Sequence, residues 1–378
     1  MADKRISQLD SLTARSSRVD FLPVLDTSAS ETKKVQVKNL PLTDLQKLNL
    51  YPYTTDFQSS TKQTRNLTSI ATGDGYKNNT NLTSISIGSN VTGIDTRSFF
   101  QATNLVTRVF SEGLIDIGEK AFYNCNKAIV NASGGILQLH STVTSIGVNA
   151  FGYNQAISGF IGHEGLVSIG NDAFLYCSTL TKVVIPDSPI SLGLRVFKGC
   201  TVQDLTLGTG TTRISNAAFS YGSADKIKVS SNFTTIGSTA FTHGTASFYK
   251  ANSITTIEGS AFRYGSLNSI SGDGTKHTGR LDISDNLSII SGSAFEYSSL
   301  KTAVLPSSLT SIGGRAFYGC NNLTGIDCFV PKSIFASDSL AGTSANLVIH
   351  ARASDLTWSG GLNQSVAGNP SVDVIKDL

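Results

Sequence analysis

The chain has 378 residues, of which only 15% are charged, and its formal net charge is +3. This balance gives no electrostatic reason to expect nucleic acid or an anionic membrane as a partner. The sequence contains no apolar run of about 20 residues that could span a membrane. Its N-terminus, Met1 to Gln8, lacks the apolar stretch of a signal peptide. We therefore expect neither membrane insertion nor export by the general secretory route.

The N-terminal segment, residues 1–42, differs from the rest of the chain. It predicts two short extended stretches, Asp20 to Asp26 and Lys33 to Lys38, around a polar turn at Thr27 to Ser30. Residues 43–65 follow as a neck, with a short helix predicted at Asp44 to Leu50. The segment is too small and too polar to enclose a large core. We expect it to become ordered through a partner or through other copies of the chain.

From residue 66 to residue 330 a phenylalanine recurs, mostly 21 to 23 residues apart. The ten positions are Phe99, Phe122, Phe151, Phe174, Phe197, Phe219, Phe241, Phe262, Phe295 and Phe317. Five residues earlier lies a branched apolar residue: Ile94, Ile117, Ile146, Ile169, Leu192, Ile214, Ile236, Ile257, Ile290 or Ile312. Three residues later lies a small one: Ala102, Cys125, Asn154, Cys177, Cys200, Gly222, Gly244, Gly265, Ser298 or Cys320. Such a period predicts a solenoid, in which short units stack and share one continuous core.

Each repeat predicts one coil with a short strand and a tight turn. In the coil around Phe174, the residues Leu180, Val183 and Ile185 have strand spacing, and Ala173 with Phe174 is predicted to form a short helical or 3₁₀ turn on the opposite side. The fold class expected is a repeat solenoid, α/β to mostly β, with the phenylalanines stacked along its centre.

The cysteines follow the repeat. Cys125, Cys177, Cys200 and Cys320 share the small-residue position, and only Cys328 lies outside it. Because this position accepts Gly and Cys alike, we interpret these residues as buried, reduced spacers. Their spacing supports neither a zinc site nor a disulfide framework.

Two coils are longer than the others. The additional residues include Asn131 to Gly135 in the first and Ser271 to Gly279 in the second. Insertions of this kind leave a solenoid as loops, either as part of a binding face or through neutral drift. After Pro331 the pattern ends, and residues 331–378 predict a C-terminal cap with a last strand at Leu347 to His350, followed by Trp358.

A second aromatic series lies two residues after the core phenylalanine in six of the ten coils. Its members are Tyr153, Tyr176, Tyr221, His243, Tyr264 and Tyr297. One interpretation is a flat strip on which sugar rings or an apolar partner surface stack. The other is that each ring covers its neighbour and seals the edge of the coil.

The sequence gives little support for catalysis. The five histidines lie in different coils without a recurring acidic or nucleophilic partner, and no acidic cluster marks a cleft. Neither Gly73-Asp74-Gly75 nor Gly272-Asp273-Gly274 has the spacing of a phosphate-binding loop. We therefore expect no enzymatic activity, no cofactor and no metal site.

The repeats closely resemble BspA-like leucine-rich repeats over residues 66 to 350. The clearest units are VSIGNDAFLYCSTL at Val167 to Leu180 and LTSIGGRAFYGCNNL at Leu309 to Leu323. Members of that family include bacterial surface adhesins. The resemblance therefore implies protein or glycan binding by a solenoid.

The N-terminal segment resembles the attachment end of bacteriophage fibre and appendage proteins. The matching stretches are Lys4 to Leu9, Asp20 to Asp26 and Thr32 to Leu40. The resemblance implies a homotrimer whose N-terminal segment docks on a capsid or tail protein, assembled in the host cytoplasm. The residues that would form this docking segment are Ile6, Leu9, Asp20, Leu22, Pro23, Val35, Val37 and Leu40.

Together these observations favour a bacteriophage virion appendage, in which residues 1–42 attach to the particle and the solenoid contacts a host-surface glycan or protein. Several copies would add avidity to weak contacts. The alternatives are a cellular BspA-like adhesin or scaffold, and a depolymerase that acts on surface polysaccharide.

Overall fold

The computed structural model describes residues 76–80, 82, 91–105, 112–127, 135–249, 251–270, 275–355 and 357–376, together with strands at 21–25, 32–36 and 69–70. The described strands are numbered in chain order. The first two, β1 (Phe21–Leu25) and β2 (Thr32–Gln36), form an antiparallel hairpin. This hairpin matches the two extended stretches predicted from the sequence. The predicted helix at Asp44 to Leu50 lies outside the described residues.

The remainder is a β-solenoid, as the repeat predicts, and its first flank consists of very short parallel strands. Apart from the first, each strand ends at the branched apolar residue five positions before the core phenylalanine, and all of these residues except Leu192 are buried. One sheet contains β3 (Ser69–Ile70), β4 (Gly93–Ile94), β5 (Asp116–Ile117), β7 (Ser145–Ile146), β9 (Ser168–Ile169) and β11 (Ser191–Leu192). The next contains β14 (Arg213–Ile214), β16 (Thr235–Ile236), β18 (Thr256–Ile257), β22 (Ile289–Ile290) and β24 (Ser311–Ile312). A groove of about 440 Å³ lies between the two sheets, and the half-buried Leu192 lines it.

The second flank carries longer strands with alternating burial. Its first sheet contains β6 (Ile136–Gln138), β8 (Gly159–Ile161), β10 (Lys182–Ile185), β12 (Thr201–Val202), β13 (Asp204–Leu207), β15 (Ser223–Lys228), β17 (Thr245–Tyr249), β19 (Ser266–Ile270) and the antiparallel β20 (Lys276–His277). A further sheet contains β21 (Arg280–Leu281), β23 (Thr302–Leu305), β25 (Gly325–Cys328), β26 (Val348–Ala351), β27 (Gly361–Val366) and β28 (Asn369–Lys376). In β10 the side chains of Val183 and Ile185 point into the core, as predicted from their spacing.

The third side of each coil, here called the turn flank, is a run of overlapping β-turns around the core phenylalanine. In the coil of Phe151, the N–H groups of Asn149, Phe151 and Tyr153 donate to carbonyls of the next coil at 2.6 to 2.9 Å. The N–H groups of Ala150 and Gly152 donate instead to carbonyls three residues back in their own coil. Because alternate N–H groups donate to the next coil, the segment cannot form a continuous helix. It forms β-turns rather than the short helical or 3₁₀ turn that the sequence suggested. One short 3₁₀ helix, Lys332–Ile334, occurs in the described residues.

The core contains an uninterrupted phenylalanine stack. All ten predicted side chains are at most 2% exposed, and consecutive ring centroids are 5.0 to 5.6 Å apart with interplanar angles up to 19°. Tyr76 continues the stack at its N-terminal end, 5.2 Å from Phe99. All five cysteines are free and buried, as predicted.

The second insertion folds back on the solenoid. Strand β20 pairs antiparallel with β19, and Lys276 Nζ lies 3.0 Å from Asp225 Oδ1. The buried Asn268 accepts a hydrogen bond from the N–H of Gly279 at 2.7 Å. Asn131 to Gly134 of the first insertion and residues 271–274 of the second lie outside the described residues.

The C-terminal region contains the predicted strand, β26, and ends in an antiparallel hairpin. Trp358 is buried and its indole N–H donates to the carbonyl of Val330 at 2.8 Å. Strand β28 pairs parallel with β26, and β27 pairs antiparallel with β28. The two hairpin residues, Ala367 and Gly368, both have positive φ, as a tight hairpin turn requires.

Candidate aromatic binding strip

The second aromatic series lies on the turn flank, where backbone geometry directs it outward. In each coil, the residues two before and two after the core phenylalanine have positive φ, between 52° and 60° where they are not glycine. Tyr221, with φ of 58°, is an example. This conformation is uncommon for residues other than Gly, Asn and Asp. The hydrogen bonds to the next coil hold it in place.

The structure places the predicted series along this flank, with its side chains exposed. The five tyrosines are 36 to 57% exposed, and His243 is exposed as well. They form two ladders rather than one. The N-terminal ladder contains Tyr123, Tyr153 and Tyr176, and the C-terminal ladder contains Tyr221, His243, Tyr264 and Tyr297. We call the two together the aromatic strip.

Gly199 separates the two ladders. This residue occupies the aromatic position in the coil of Phe197, and its φ is 74°. A Cβ atom there would lie 2.2 Å from the ring of Tyr176. The ring of Tyr176 therefore lies directly over the backbone of the next coil, and no side chain fits between them.

In the C-terminal ladder the rings stack face to face. Consecutive centroids are 4.8, 4.8 and 5.1 Å apart, and the interplanar angles are 9° to 13°. In the N-terminal ladder the rings are tilted by 55° and 40°. The C-terminal ladder thus presents ring edges and phenol hydroxyl groups to the outside, and each ring face is turned toward a neighbouring coil.

Two further aromatic residues, Phe100 and Tyr318, extend the strip, and the sequence analysis missed them together with Tyr123. Phe100 stacks on Tyr123 at 5.1 Å, and Tyr318 contacts Tyr297 edge to face at 5.5 Å. These residues follow the core phenylalanine by one position instead of two. The sequence could have indicated them, because in each of their coils the residue two positions after the core phenylalanine is not aromatic.

Cationic side chains cover the strip. Lys198 Nζ lies 5.5 Å from the ring centroid of Tyr221, and the guanidinium carbon of Arg263 lies 5.0 Å from that of Tyr264. Arg315 lies 4.3 Å from the ring centroid of Tyr318. Such distances are typical of cation–π contacts.

Acidic side chains on the turn flank are paired with these cations or with their neighbours. Glu296, with only 4% of its side chain exposed, forms an ion pair with Arg263, whose Nε lies 2.9 Å from Oε2, and accepts a hydrogen bond from Arg315. Asp172 forms a bidentate pair with Arg195, at 2.9 and 2.6 Å, and these bonds raise the pKa of Arg195. Desolvation and the neighbouring Tyr318 raise the pKa of Tyr297, so its phenol is a neutral hydrogen-bond donor at physiological pH.

The remaining sequence predictions concern metal binding, membrane insertion and the N-terminal docking segment. Among the described residues, no group of three or more His, Cys, Asp and Glu side chains is arranged to hold a metal ion, and no helix has the length and apolarity of a membrane span. In the docking segment, Leu22 and Pro23 lie in β1 and Val35 lies in β2. The docking residues Ile6, Leu9, Asp20, Val37 and Leu40 lie outside the described residues.

Comparisons with known proteins identify the repeat. The model of the BspA type leucine-rich repeat region matches in six copies over residues 69–201, 167–278 and 247–346. No curated protein matches the chain.

Solved structures with a similar fold come from several bacteria. A leucine-rich repeat protein from Bacteroides ovatus is 18% identical, with 90% of this chain and 91% of that chain covered and a TM-score of 0.48. The pneumococcal vaccine antigen PcpA is 17% identical, with coverages of 78% and 79% and a TM-score of 0.39. A leucine-rich cell surface protein from Faecalibacterium prausnitzii is 17% identical, with coverages of 74% and 83% and a TM-score of 0.32.

Proposed function

Because the chain belongs to the BspA type leucine-rich repeat family, we propose that it is a non-enzymatic binding protein whose aromatic strip contacts a glycan or protein on a cell surface. The observation that carries this proposal is the strip itself. Exposed aromatic residues recur from coil to coil within each ladder along one flank, although the same position also accepts a polar residue such as Gln101. Exposed aromatic clusters of this kind often mark interaction sites.

The experiment measures binding of the labelled full chain to a panel of bacterial and epithelial cells. In the test variant, Tyr221, Tyr264 and Tyr297 are replaced by Asn, which tolerates positive φ and which the chain itself uses at Asn124 with φ of 56°. We expect at least about a tenfold loss of affinity, as for central interface residues. Unchanged binding by this variant, or binding to none of the cells, would contradict the proposal.

A matched control is Tyr249→Thr. Tyr249 is 37% exposed, similar to the strip tyrosines, but it ends strand β17 on the long-strand flank. Its replacement should leave cell binding unchanged. Release of reducing ends from surface polysaccharide by the purified chain would instead support the depolymerase alternative.

We further propose that the protein is a virion appendage, attached through residues 1–42 to a capsid or tail protein and present as a homotrimer. The resemblance of this segment to phage attachment ends is the observation that supports the proposal. Multiple copies would give avidity to a strip whose single contacts are weak. A cellular adhesin or scaffold with the same strip is the alternative, and incorporation into particles distinguishes the two.

A further inference from the structure

We propose that the C-terminal ladder of the aromatic strip binds a linear acidic polysaccharide that lies along the solenoid axis. This inference rests on the proposed function and names the chemical class of its ligand. Three properties of the ladder carry it: the ring faces are covered, the outward groups are hydrogen-bond donors, and cationic side chains outnumber acidic ones on the flank.

The ring faces are not available to a ligand. Tyr221 has His243 on one face and the ammonium group of Lys198 toward the ring on the other, 5.5 Å from its centroid. At the opposite end, Tyr297 stacks on Tyr264, and its ring atoms lie 2.4 to 2.5 Å from where a Cβ of Gly319 would be. A sugar ring therefore cannot stack flat on these residues, and the interpretation of the series as a flat stacking platform does not fit this ladder.

The exposed edges favour electron-rich groups instead. The edge of an aromatic ring carries partial positive charge, and the phenol hydroxyls donate hydrogen bonds. Successive ring centroids are 4.8 to 5.1 Å apart, so the ring edges recur from coil to coil together with the hydroxyl groups of Tyr221, Tyr264 and Tyr297. A polymer that presents oxygen acceptors at regular intervals can contact several coils at once.

Cationic side chains outnumber acidic ones on this flank. Between three residues before and two residues after the core phenylalanines, the ten coils contain six cationic side chains: Arg97, Lys120, Arg195, Lys198, Arg263 and Arg315. The same positions contain three acidic ones: Glu119, Asp172 and Glu296. Beside the C-terminal ladder itself lie the cations Lys198, Arg263 and Arg315 and the single carboxylate of Glu296, an excess of two. Glu296 is ion-paired with both Arg263 and Arg315, so with Lys198 over Tyr221 the ladder keeps a net positive charge that would attract an anionic partner.

The covered ring faces also distinguish between two classes of polyanionic ligand, single-stranded nucleic acid and acidic polysaccharide. Single-stranded nucleic acids bind proteins through bases stacked on aromatic faces, which this ladder does not offer. An acidic polysaccharide needs no such stacking, because its hydroxyl and carboxylate groups accept hydrogen bonds from phenols and cations. The geometry thus favours the polysaccharide.

The experiment titrates the full chain with alginate, a linear carboxylate polysaccharide, and with neutral dextran and an oligothymidylate. We expect binding of alginate at about 0.01 M ionic strength, loss of that binding at about 1 M because salt screens charge, and no binding of dextran. Lys198→Gln should weaken alginate binding roughly two- to fivefold, the range for an exposed charge contact. Tyr221→Phe, which keeps the ring and removes its hydroxyl group, should weaken it as well.

Lys228→Gln is the matched control. Lys228 is exposed on β15 of the long-strand flank, where its Nζ lies 3.6 Å from Asp204 Oδ1, and its loss should not change alginate binding. Equal losses in the two lysine variants, no alginate binding at low salt, or tighter binding of the oligothymidylate would each overturn the inference. If cell binding still depends on the strip tyrosines in that case, the proposed function stands and only the ligand class is wrong.

Discussion

At the scale of single residues, the small residue three positions after each core phenylalanine contributes more than its low volume. The thiols of Cys125, Cys177, Cys200 and Cys320 donate to the carbonyl of the core phenylalanine in the preceding coil, at 2.9 to 3.1 Å. The sequence predicts the small volume, because both Gly and Cys occur there. It does not predict the hydrogen bond, because its acceptor belongs to another coil and is about 25 residues away.

These buried thiols should make the fold sensitive to alkali. Burial raises the pKa of Cys177 to about 12, whereas a thiol in the unfolded chain has a pKa of about 8.5. Above that lower value, the unfolded state loses a proton that the folded state keeps. The free energy of unfolding should therefore fall by up to about 1.4 kcal/mol per pH unit for each thiol, until the pH reaches the folded pKa.

Cys177→Ser isolates one thiol, and Ser298 shows that serine fits the equivalent position. Urea denaturation at a series of pH values should give a shallower decline for this variant between about pH 9 and about pH 11. The two proteins should show the same pH dependence below about pH 7, where thiols are protonated in both states. An identical alkaline decline in the two proteins would contradict the prediction.

At the scale of the structural element, the solenoid contains two kinds of coil. Where Cys177 occupies the small position, a turn and the buried Leu180 come before the long strand. Where Gly222 or Gly244 occupies it, the chain enters β15 or β17 directly. At these positions the backbones of two neighbouring coils approach closely. Glycine is required there, because a Cβ at either glycine would lie 2.1 Å from a carbonyl oxygen of the preceding coil.

Replacement of such a glycine should therefore push two coils apart. Gly222→Ala is expected to lower the free energy of unfolding by about 1 to 3 kcal/mol, the usual cost of overpacking. Gly93→Ala is the control, because a Cβ at Gly93 would meet nothing within 4 Å, and its effect should stay within about 0.5 kcal/mol. Urea denaturation measures the free energy of unfolding of both variants. Equal losses would show that the close contact between the two coils does not determine the cost of adding a Cβ at Gly222.

The turn flank shows what periodicity cannot predict at this scale. The spacing of Ala173 and Phe174 suggested a helical turn, yet Asp172 and Tyr176 both adopt positive φ. Neither residue type identifies such a backbone by itself, because hydrogen bonds to the adjacent coil impose it. For the same reason the sequence indicated an aromatic series but not the stacking of its rings, which depends on how neighbouring coils are aligned.

At the scale of the whole molecule, the period and the ten phenylalanines were sufficient to predict the solenoid and its central stack. The breaks between sheets were not predictable. Leu192 differs from the isoleucines at equivalent positions by one branch point, but it lies where two sheets part and is half-buried. Such breaks depend on packing accumulated over several coils rather than on one residue type.

The N-terminal hairpin should be dispensable for folding. Strands β1 and β2 pair with each other, and neither belongs to the sheets of the solenoid. Deletion of residues 1–40 should therefore leave the far-ultraviolet circular dichroism and the midpoint of thermal unfolding nearly unchanged. It should also abolish incorporation into phage particles, measured by copurification with virions.

The full-length chain, purified with the same particles, is the control. Particles that incorporate the truncated chain as efficiently would refute the attachment role of this segment. A truncated chain that unfolds at a much lower temperature would refute the independence of the solenoid.

The reversal of direction in the C-terminal hairpin has a consequence for filament growth. The solenoid adds coils through parallel strands, and a second molecule could in principle extend that pattern end to end. Strand β27 lies at the edge of the final sheet and runs opposite to β28. A coil of a second molecule that continued the direction of the solenoid strands would therefore meet an antiparallel edge. Open strand edges are sites of uncontrolled polymerisation, and we expect this reversed edge to disfavour the end-to-end addition of a second solenoid.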